Sequence, residues 1–129
     1  MERERLSSGT KWESKVGYSR AIRVGSRVFV SGTTATDDEG DVVGTGDAYL
    51  QTKRALGNVE RSLRETDASV EDVVRTRLFV TDIDDWEAIG DAHREVFGGV
   101  RPATSMVEVN RLIDSDLLVE IEALAIIPE

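Results

Sequence analysis

The chain has 129 residues, no cysteine and one histidine, and its 16 basic and 25 acidic side chains give a net charge of −9. This length predicts a single domain over residues 1–129, and the lack of cysteine excludes disulfides, thiol nucleophiles and cysteine-ligated metal sites. Neither a nucleic-acid partner nor a membrane partner is predicted, because the charge is acidic and no apolar run could cross a bilayer.

A β-hairpin is the first predicted element. Residues 19–24 and 27–31 are rich in Val, Ile and Phe, and Gly25-Ser26 lies where the chain must reverse. Residues 32–46 are predicted to form a loop or a bent strand.

An amphipathic helix is predicted between Asp47, which fits an N-cap, and Thr66. Its apolar side chains, such as Leu56 and Leu63, recur at three- and four-residue steps. Gln51 falls among the charged residues of the opposite face, so we expect it to be exposed.

A strand and a second helix follow. Alternating side chains predict a strand over residues 73–80. The second helix starts after Asp84 or Asp85 and is ended by Gly98-Gly99. Its apolar stripe contains His93, which is interpreted as a hydrogen-bonded core or interface side chain.

Strands over residues 105–109 and 117–127 complete the chain. The element order predicts an α+β fold in which two helices pack on one face of a mixed sheet. The strands carry many apolar side chains, among them Val28, Ile121 and Ala123. We expect the second face to pack against other subunits, because so many apolar residues would not be left in water.

Two glutamates of the last strand are candidates for chemistry. Glu120 and Glu122 are two residues apart and therefore point to the same side of the sheet. A buried carboxylate is costly unless it is paired. For Glu122 we favour an ion pair with Arg75 or Arg77, and for Glu120 a water-orienting or general-base role.

Polar residues also surround Pro102, the first of the two prolines of the chain. Arg101 precedes Pro102 and is expected to be extended. It is either a bidentate clamp for a carboxylate or, with more weight, a subunit-interface salt bridge. Thr104 and Ser105 offer hydroxyl groups at the start of a strand, where their residue types are also ordinary strand formers.

Composition and the amino terminus indicate the protein's surroundings. Three lysines accompany thirteen arginines, and a lysine-poor acidic surface suits a high-salt cytoplasm, so we hold a halophilic origin as a hypothesis. The charged residues 1–5 lead into no apolar secretory segment, and a cytoplasmic location is expected.

Five ordered segments together with the helix spacing between them span nearly the whole chain: Tyr18–Ala21, Val28–Gly32, Thr81–Trp86, Arg101–Val109 and Val119–Ala123. This set resembles the Rid family, also called the YjgF/YER057c/UK114 family. The resemblance implies a chorismate-mutase-like, YjgF-like subunit and a homotrimer with a central barrel and ligand clefts between subunits. It also implies that deaminase members hydrolyse enamines and imines, such as 2-aminoacrylate, to 2-keto acids and ammonia without a cofactor or metal.

The resemblance assigns site residues by position. Glu120 matches the glutamate that holds the attacking water, and Tyr18 and Ser31 match polar residues of the cleft. Gly32, which follows Ser31 in the matching segment, is included among the substrate-binding residues.

The resemblance also contains one departure. Thr104 stands where the deaminase branch has the arginine that clamps the substrate carboxylate. A threonine hydroxyl binds an anion less strongly than a guanidinium, so activity on 2-imino acids is expected to be weak. The backbone near Ser105 and Met106 is expected to help hold the substrate, and Arg101 is the other candidate for an anion contact.

The sequence thus predicts a cofactor-independent hydrolase or deaminase acting on a small enamine, imine or related metabolite in clefts between subunits. An alternative is a metabolite-binding or regulatory trimer without catalysis. A third, an endoribonuclease or translation inhibitor, is disfavoured by the net charge of −9 and by the lack of a basic, aromatic-lined strip.

Overall fold

The computed structural model describes all 129 residues. Six strands and three α-helices form, and two short 3-10 turns, Val70–Asp72 and Ile83–Asp85, connect them. In chain order the elements are β1 (Arg3–Leu6), α1 (Lys11–Val16), β2 (Ala21–Val24), β3 (Arg27–Thr34), α2 (Ala48–Glu65), β4 (Val73–Val80), α3 (Trp86–Phe97), β5 (Ala103–Glu108) and β6 (Val119–Ile126).

The strands form one mixed sheet in the order β1-β2-β3-β6-β4-β5. All neighbouring strands are antiparallel except β4 and β5, which are parallel and are joined through α3. The predicted hairpin is confirmed, because β2 pairs with β3 from Ala21 opposite Val30 to Val24 opposite Arg27. No helix is long and apolar enough to span a membrane.

Helices α2 and α3 cover one face of the sheet and enclose the core, as the α+β pattern predicts. Helix α2 begins where expected, since the Asp47 carboxylate accepts a hydrogen bond from the Leu50 N–H at 3.0 Å. The buried side chains of the central strands belong to this core: Val28, Val30, Leu78, Val80, Val119, Ile121, Ala123 and Ala125.

The assignment of the apolar strand residues to a second, subunit-facing surface is therefore wrong for most of them. Val28, Ile121 and Ala123 pack beneath the helices. The opposite, helix-free face carries the alternate positions, where Phe29 is 44 % exposed and Leu124 is half-buried. The alternation of side chains along β6 and along the first half of β3 separates the two sets, and the buried apolar side chains face the helices.

The predicted ion pair of Glu122 lies on the helix-free face. Its carboxylate is 3.7 Å from Nη1 of Arg77, rather than paired with Arg75. These two side chains, with Phe29 and Leu124, line a shallow cavity of about 330 Å³.

The amino-terminal elements β1 and α1 were not predicted. Strand β1 consists of Arg3, Glu4, Arg5 and Leu6, which show no apolar alternation, and charge is typical of an edge strand. Helix α1 has six residues and is ended by Gly17 in the left-handed region, φ 90°. Such a helix is too short for its periodicity to be recognised.

Two further expectations about local structure are wrong. Gln51 is fully buried, and its side-chain amide donates to the carbonyl of Asp116 at 2.8 Å and accepts from the N–H of Leu118 at 2.8 Å. Arg101 is not extended but left-handed, φ 56°, and its N–H closes the turn after α3 by bonding the Phe97 carbonyl at 2.8 Å. Pro102 disfavours the right-handed helical conformation at residue 101. Of the extended and left-handed conformations that remain, the turn after α3 requires the left-handed one.

Candidate functional site

A cleft of about 820 Å³ opens at the end of the sheet where β3 finishes and β6 begins. The amino-terminal segment 8–12, the loop 36–42 and the residues before β6 form its rim. Tyr18, Ser31, Gly32 and Glu120 all line it, so the structure brings together four residues singled out in the sequence.

A β-bulge in β3 positions two of these residues. Val30 pairs with Ala123 and Thr33 pairs with Ile121, which leaves Ser31 and Gly32 together opposite one residue of β6. The bulge interrupts the alternation, so that two consecutive residues of β3 line the cleft.

Gly32 lies directly against the carboxylate of Glu120. A Cβ atom at position 32 would be 2.2 Å from Oε2 and 2.9 Å from Cδ of Glu120. No side chain at position 32 would fit against this carboxylate. Glu120 can occupy its position because residue 32 has no Cβ atom.

Glu120 is a half-buried carboxylate without a hydrogen-bond or ion-pair partner in the chain. Burial raises its pKa, the charge of Glu122 raises it further, and the charge of Arg20 offsets part of the rise. Its oxygens face the cleft and remain able to accept hydrogen bonds from water or a ligand.

The Ser31 hydroxyl is oriented by the backbone. Its Oγ donates to the Ser19 carbonyl at 2.7 Å, while the Ser31 N–H donates to the Arg20 carbonyl at 3.1 Å. Because the hydroxyl proton is already donated to the Ser19 carbonyl, the lone pairs of Oγ are free to accept a hydrogen bond from a donor in the cleft. Tyr18 is 38 % exposed at the cleft wall.

Arg20 is a cleft residue that the sequence analysis missed. Its Nη2 donates to the Gly32 carbonyl at 2.5 Å, and its guanidinium carbon lies 5.8 Å from the centre of the Tyr18 ring. The spacing in the sequence could have predicted this position. Arg20 is two residues after Tyr18, and an extended chain places such residues on the same side. A lone arginine at the start of a strand was interpreted as an ordinary strand residue.

The rim segment 8–12 is fixed by a buried carboxylate. Glu13 accepts hydrogen bonds from Oγ of Ser7 at 3.0 Å, from N–H and Oγ of Ser8, and from Oγ1 of Thr10 at 3.0 Å. Burial raises the pKa of Glu13, but these hydrogen bonds together outweigh it and the pKa is lowered.

A Glu13→Gln variant is expected to lose stability at pH 7 by about 1–3 kcal/mol, because the charge-assisted hydrogen bonds are weakened. The wild-type contribution is present above the ordinary carboxyl pKa of 4.5 and is lost as pH falls through the lowered folded pKa. Denaturant unfolding at pH 7 and at pH 3 should therefore show a difference between the two proteins that shrinks in acid. Glu39→Gln, in an exposed loop, is the control. A difference that is the same at both pH values would contradict this role.

The remaining candidates lie outside this cleft of the chain. Arg101 is exposed in the turn before β5, and Ser105 is exposed on β5. Met106 packs against the core. The Thr104 hydroxyl shares a hydrogen bond of 2.8 Å with Oγ1 of Thr76, on the helix-covered side of the sheet.

His93 terminates the same polar chain. Its Nε2 is 2.9 Å from Oγ1 of the buried Thr76, and its ring is 4.8 Å from the ring of Phe97. Burial lowers the pKa of His93, which favours the neutral imidazole. The expected hydrogen bond of His93 is confirmed, and its side chain is half-buried at the edge of the core rather than fully inside it.

Comparisons with known proteins agree on one group of relatives. The family model described as Endoribonuclease L-PSP matches residues 9–127. The crystal structure of Rv2704 from Mycobacterium tuberculosis, described as a member of the YjgF/YER057c/UK114 family, is 48% identical with a TM-score of 0.89, and the match covers 98% of this chain and 100% of that one.

Two relatives known by sequence complete the comparison. An uncharacterized protein of Streptomyces coelicolor is 43% identical over 119 residues, which are 92% of this chain and 87% of the relative. The 3-aminoacrylate deaminase RutC of Acinetobacter baylyi is 35% identical over 108 residues, which are 84% of this chain and 85% of the relative.

Proposed function

The chain belongs to the Rid (YjgF/YER057c/UK114) family, and from this membership and the geometry of its cleft we propose that it is a cofactor-independent hydrolase of small imines and enamines. The observation that carries the proposal is the unpaired, half-buried carboxylate of Glu120 against Gly32. The similarity to a 3-aminoacrylate deaminase supports the same class of substrate.

Glu120 acts on water in this mechanism. Its carboxylate takes a proton from a water molecule while the water oxygen bonds to the carbon of the protonated imine, and the C=N electron pair moves to nitrogen. Glu120 then gives this proton to the nitrogen of the carbinolamine. The C–N bond breaks and ammonia leaves as the carbinolamine hydroxyl loses its proton to the Glu120 carboxylate and the C=O bond forms, and Glu120 releases that proton to solvent. An enamine that gains a proton at carbon gives the same protonated imine. A raised pKa strengthens Glu120 as the base.

Tyr18 and Ser31 position the substrate. Because the Ser31 hydroxyl donates to a backbone carbonyl, it is oriented to accept from the N–H of an imine or enamine. Groups fixed in this way before the substrate arrives stabilise a polar transition state without reorganising.

A homotrimer would complete the cleft. The helix-free face leaves Phe29, Val107 and Ile126 between 41% and 46% exposed, which suits burial against another subunit. Strand β5 is an edge with mostly exposed residues. In such an assembly the backbone edge of β5 that carries Thr104, Ser105 and Met106 would approach the cleft of the next subunit.

A metabolite-binding trimer without catalysis is the second candidate. The observation in its favour is Thr104, since its hydroxyl is already hydrogen-bonded to Thr76 and to the Pro102 carbonyl. A threonine at that position cannot form the bidentate, charge-assisted hydrogen bonds with which a guanidinium binds an anion. The description Endoribonuclease L-PSP suggests a third activity, which the net charge of −9 disfavours.

The rate of ammonia release from freshly generated 2-iminopropionate and 3-aminoacrylate tests the proposal. We expect acceleration over the uncatalysed rate with at least one of them. Saturable binding without acceleration would replace the hydrolase by the binding trimer. RNA cleavage that survives removal of contaminating nuclease would favour the third activity.

A further inference from the structure

We propose that Arg20 is the residue of the cleft that binds an anionic group of the substrate. This inference rests on the proposed function and names a specificity-determining residue of the same site. It assigns the selectivity of the cleft to a residue of the same chain as Glu120.

The backbone holds Arg20 in place. Its N–H donates to the Leu6 carbonyl at 2.8 Å, and its carbonyl accepts from the Ser31 N–H at 3.1 Å. The side chain then reaches Gly32, where Nη2 donates to the carbonyl at 2.5 Å. A guanidinium fixed at one end loses little freedom when a ligand binds its other N–H groups.

Most donors of this guanidinium are unused. Arginine has five N–H groups, and Arg20 makes one side-chain hydrogen bond, through Nη2. Its Nε is buried without a partner, and Nη1 makes no hydrogen bond and is not buried. No carboxylate lies within ion-pair distance of Arg20. A partly buried cation without a counter-ion favours binding of an anion from solution.

Gly32 separates Arg20 from Glu120. Arg20 contacts the carbonyl of Gly32, and the Glu120 carboxylate lies against its Cα. The two charges thus face one cleft without pairing with each other. A molecule with a carboxylate adjacent to a C=N bond would span them, with its carboxylate on Arg20 and its carbon facing water held by Glu120.

Lys11 is the other cation that lines the cleft. Its ammonium lies 4.9 Å from the ring of exposed Trp12 on the short helix α1, and no hydrogen bond orients it. Arg20 is therefore the oriented cation that the cleft offers.

The test compares a charged ligand with an uncharged one of nearly equal shape. Pyruvate and pyruvamide are titrated, with NMR detection, into the wild-type protein, Arg20→Gln, Arg20→Lys and the control Arg94→Gln on α3. For Arg20→Gln we expect pyruvate binding to weaken about 10- to 100-fold, the equivalent of a lost charge-assisted pair. Pyruvamide binding should change less than about threefold, and Arg20→Lys should retain part of the pyruvate affinity.

The outcomes separate this inference from the proposed function. Equal losses for pyruvate and pyruvamide in Arg20→Gln would mean that Arg20 only braces Gly32, and would overturn the inference. Imine hydrolysis that is insensitive to Arg20→Gln would overturn it as well, with the hydrolase function intact. Arg20-dependent pyruvate binding without any turnover would support Arg20 as the anion site and reject the hydrolase.

Discussion

Glu120→Gln is expected to lower kcat/KM for imine hydrolysis by about 10²–10⁴-fold, the contribution typical of a general base. The glutamine side chain is nearly isosteric with glutamate, so it fits beside Gly32, but it cannot take a proton from water. Steady-state ammonia release measures the loss. Glu122→Gln is the matched control on the same side of β6, because Glu122 is paired with Arg77. A loss as large at Glu122 as at Glu120 would contradict the assignment.

The same variant has a pH signature in stability. Because the folded pKa of Glu120 is raised above its ordinary 4.5, the protonated form stabilises the fold, and this stability is lost as pH rises through the raised folded value. Glu120→Gln removes that loss. We expect its free energy of unfolding at pH 7 to equal or exceed that of the wild type, measured by urea unfolding. A variant that is less stable at pH 7 would show instead that the carboxylate is a structural group.

Gly32→Ala is expected to lower kcat/KM by about 10²-fold, since a displacement of about 1 Å at a reacting group has that effect. The new Cβ would be 2.2 Å from Oε2 of Glu120, so the carboxylate must move. Gly57→Ala, in α2 with no atom within 4 Å of its Cβ, is the control and should be stabilising by about 0.5–1 kcal/mol. Full activity in Gly32→Ala would refute the role of this contact.

A double variant locates the effect of Gly32→Ala in the Glu120 carboxylate. In the Glu120→Ala background the atoms that clash with the new Cβ are gone, so Gly32→Ala should add little further loss of stability or activity. Additive losses would mean that the alanine disturbs the β3 bulge itself.

Local patterns were enough to predict several elements. The Gly25-Ser26 hairpin, the start of α2 at Asp47 and the alternation of β6 depend on residues close together in the chain, and all three are confirmed. The pairing of Glu122 with an arginine of β4 also followed from strand chemistry. Short β1 and α1 escaped detection because four and six residues carry too little periodic signal.

Hydrogen-bond partners that are distant in the sequence determine the positions of Gln51 and Thr104. Gln51 is on a face of α2 that reads as polar, and it is buried because Asp116 and Leu118 supply its hydrogen bonds. Thr104 is drawn into a hydrogen bond with Thr76 across β4 and β5. Both contacts join residues far apart in the chain, and no window of neighbouring residues contains them.

The amino-acid sequence was sufficient to determine the family and the α+β class, because these depend on ordered segments and on strand periodicity. It also predicted Glu120 as a candidate site residue. Only the tertiary structure placed Arg20 and Glu120 on either side of Gly32. That arrangement needs the bulge in β3 and the register of β3 against β6, strands separated by more than eighty residues. Register is set by the packing of a whole sheet face, so a one-residue slip would redirect the side chains that form the cleft.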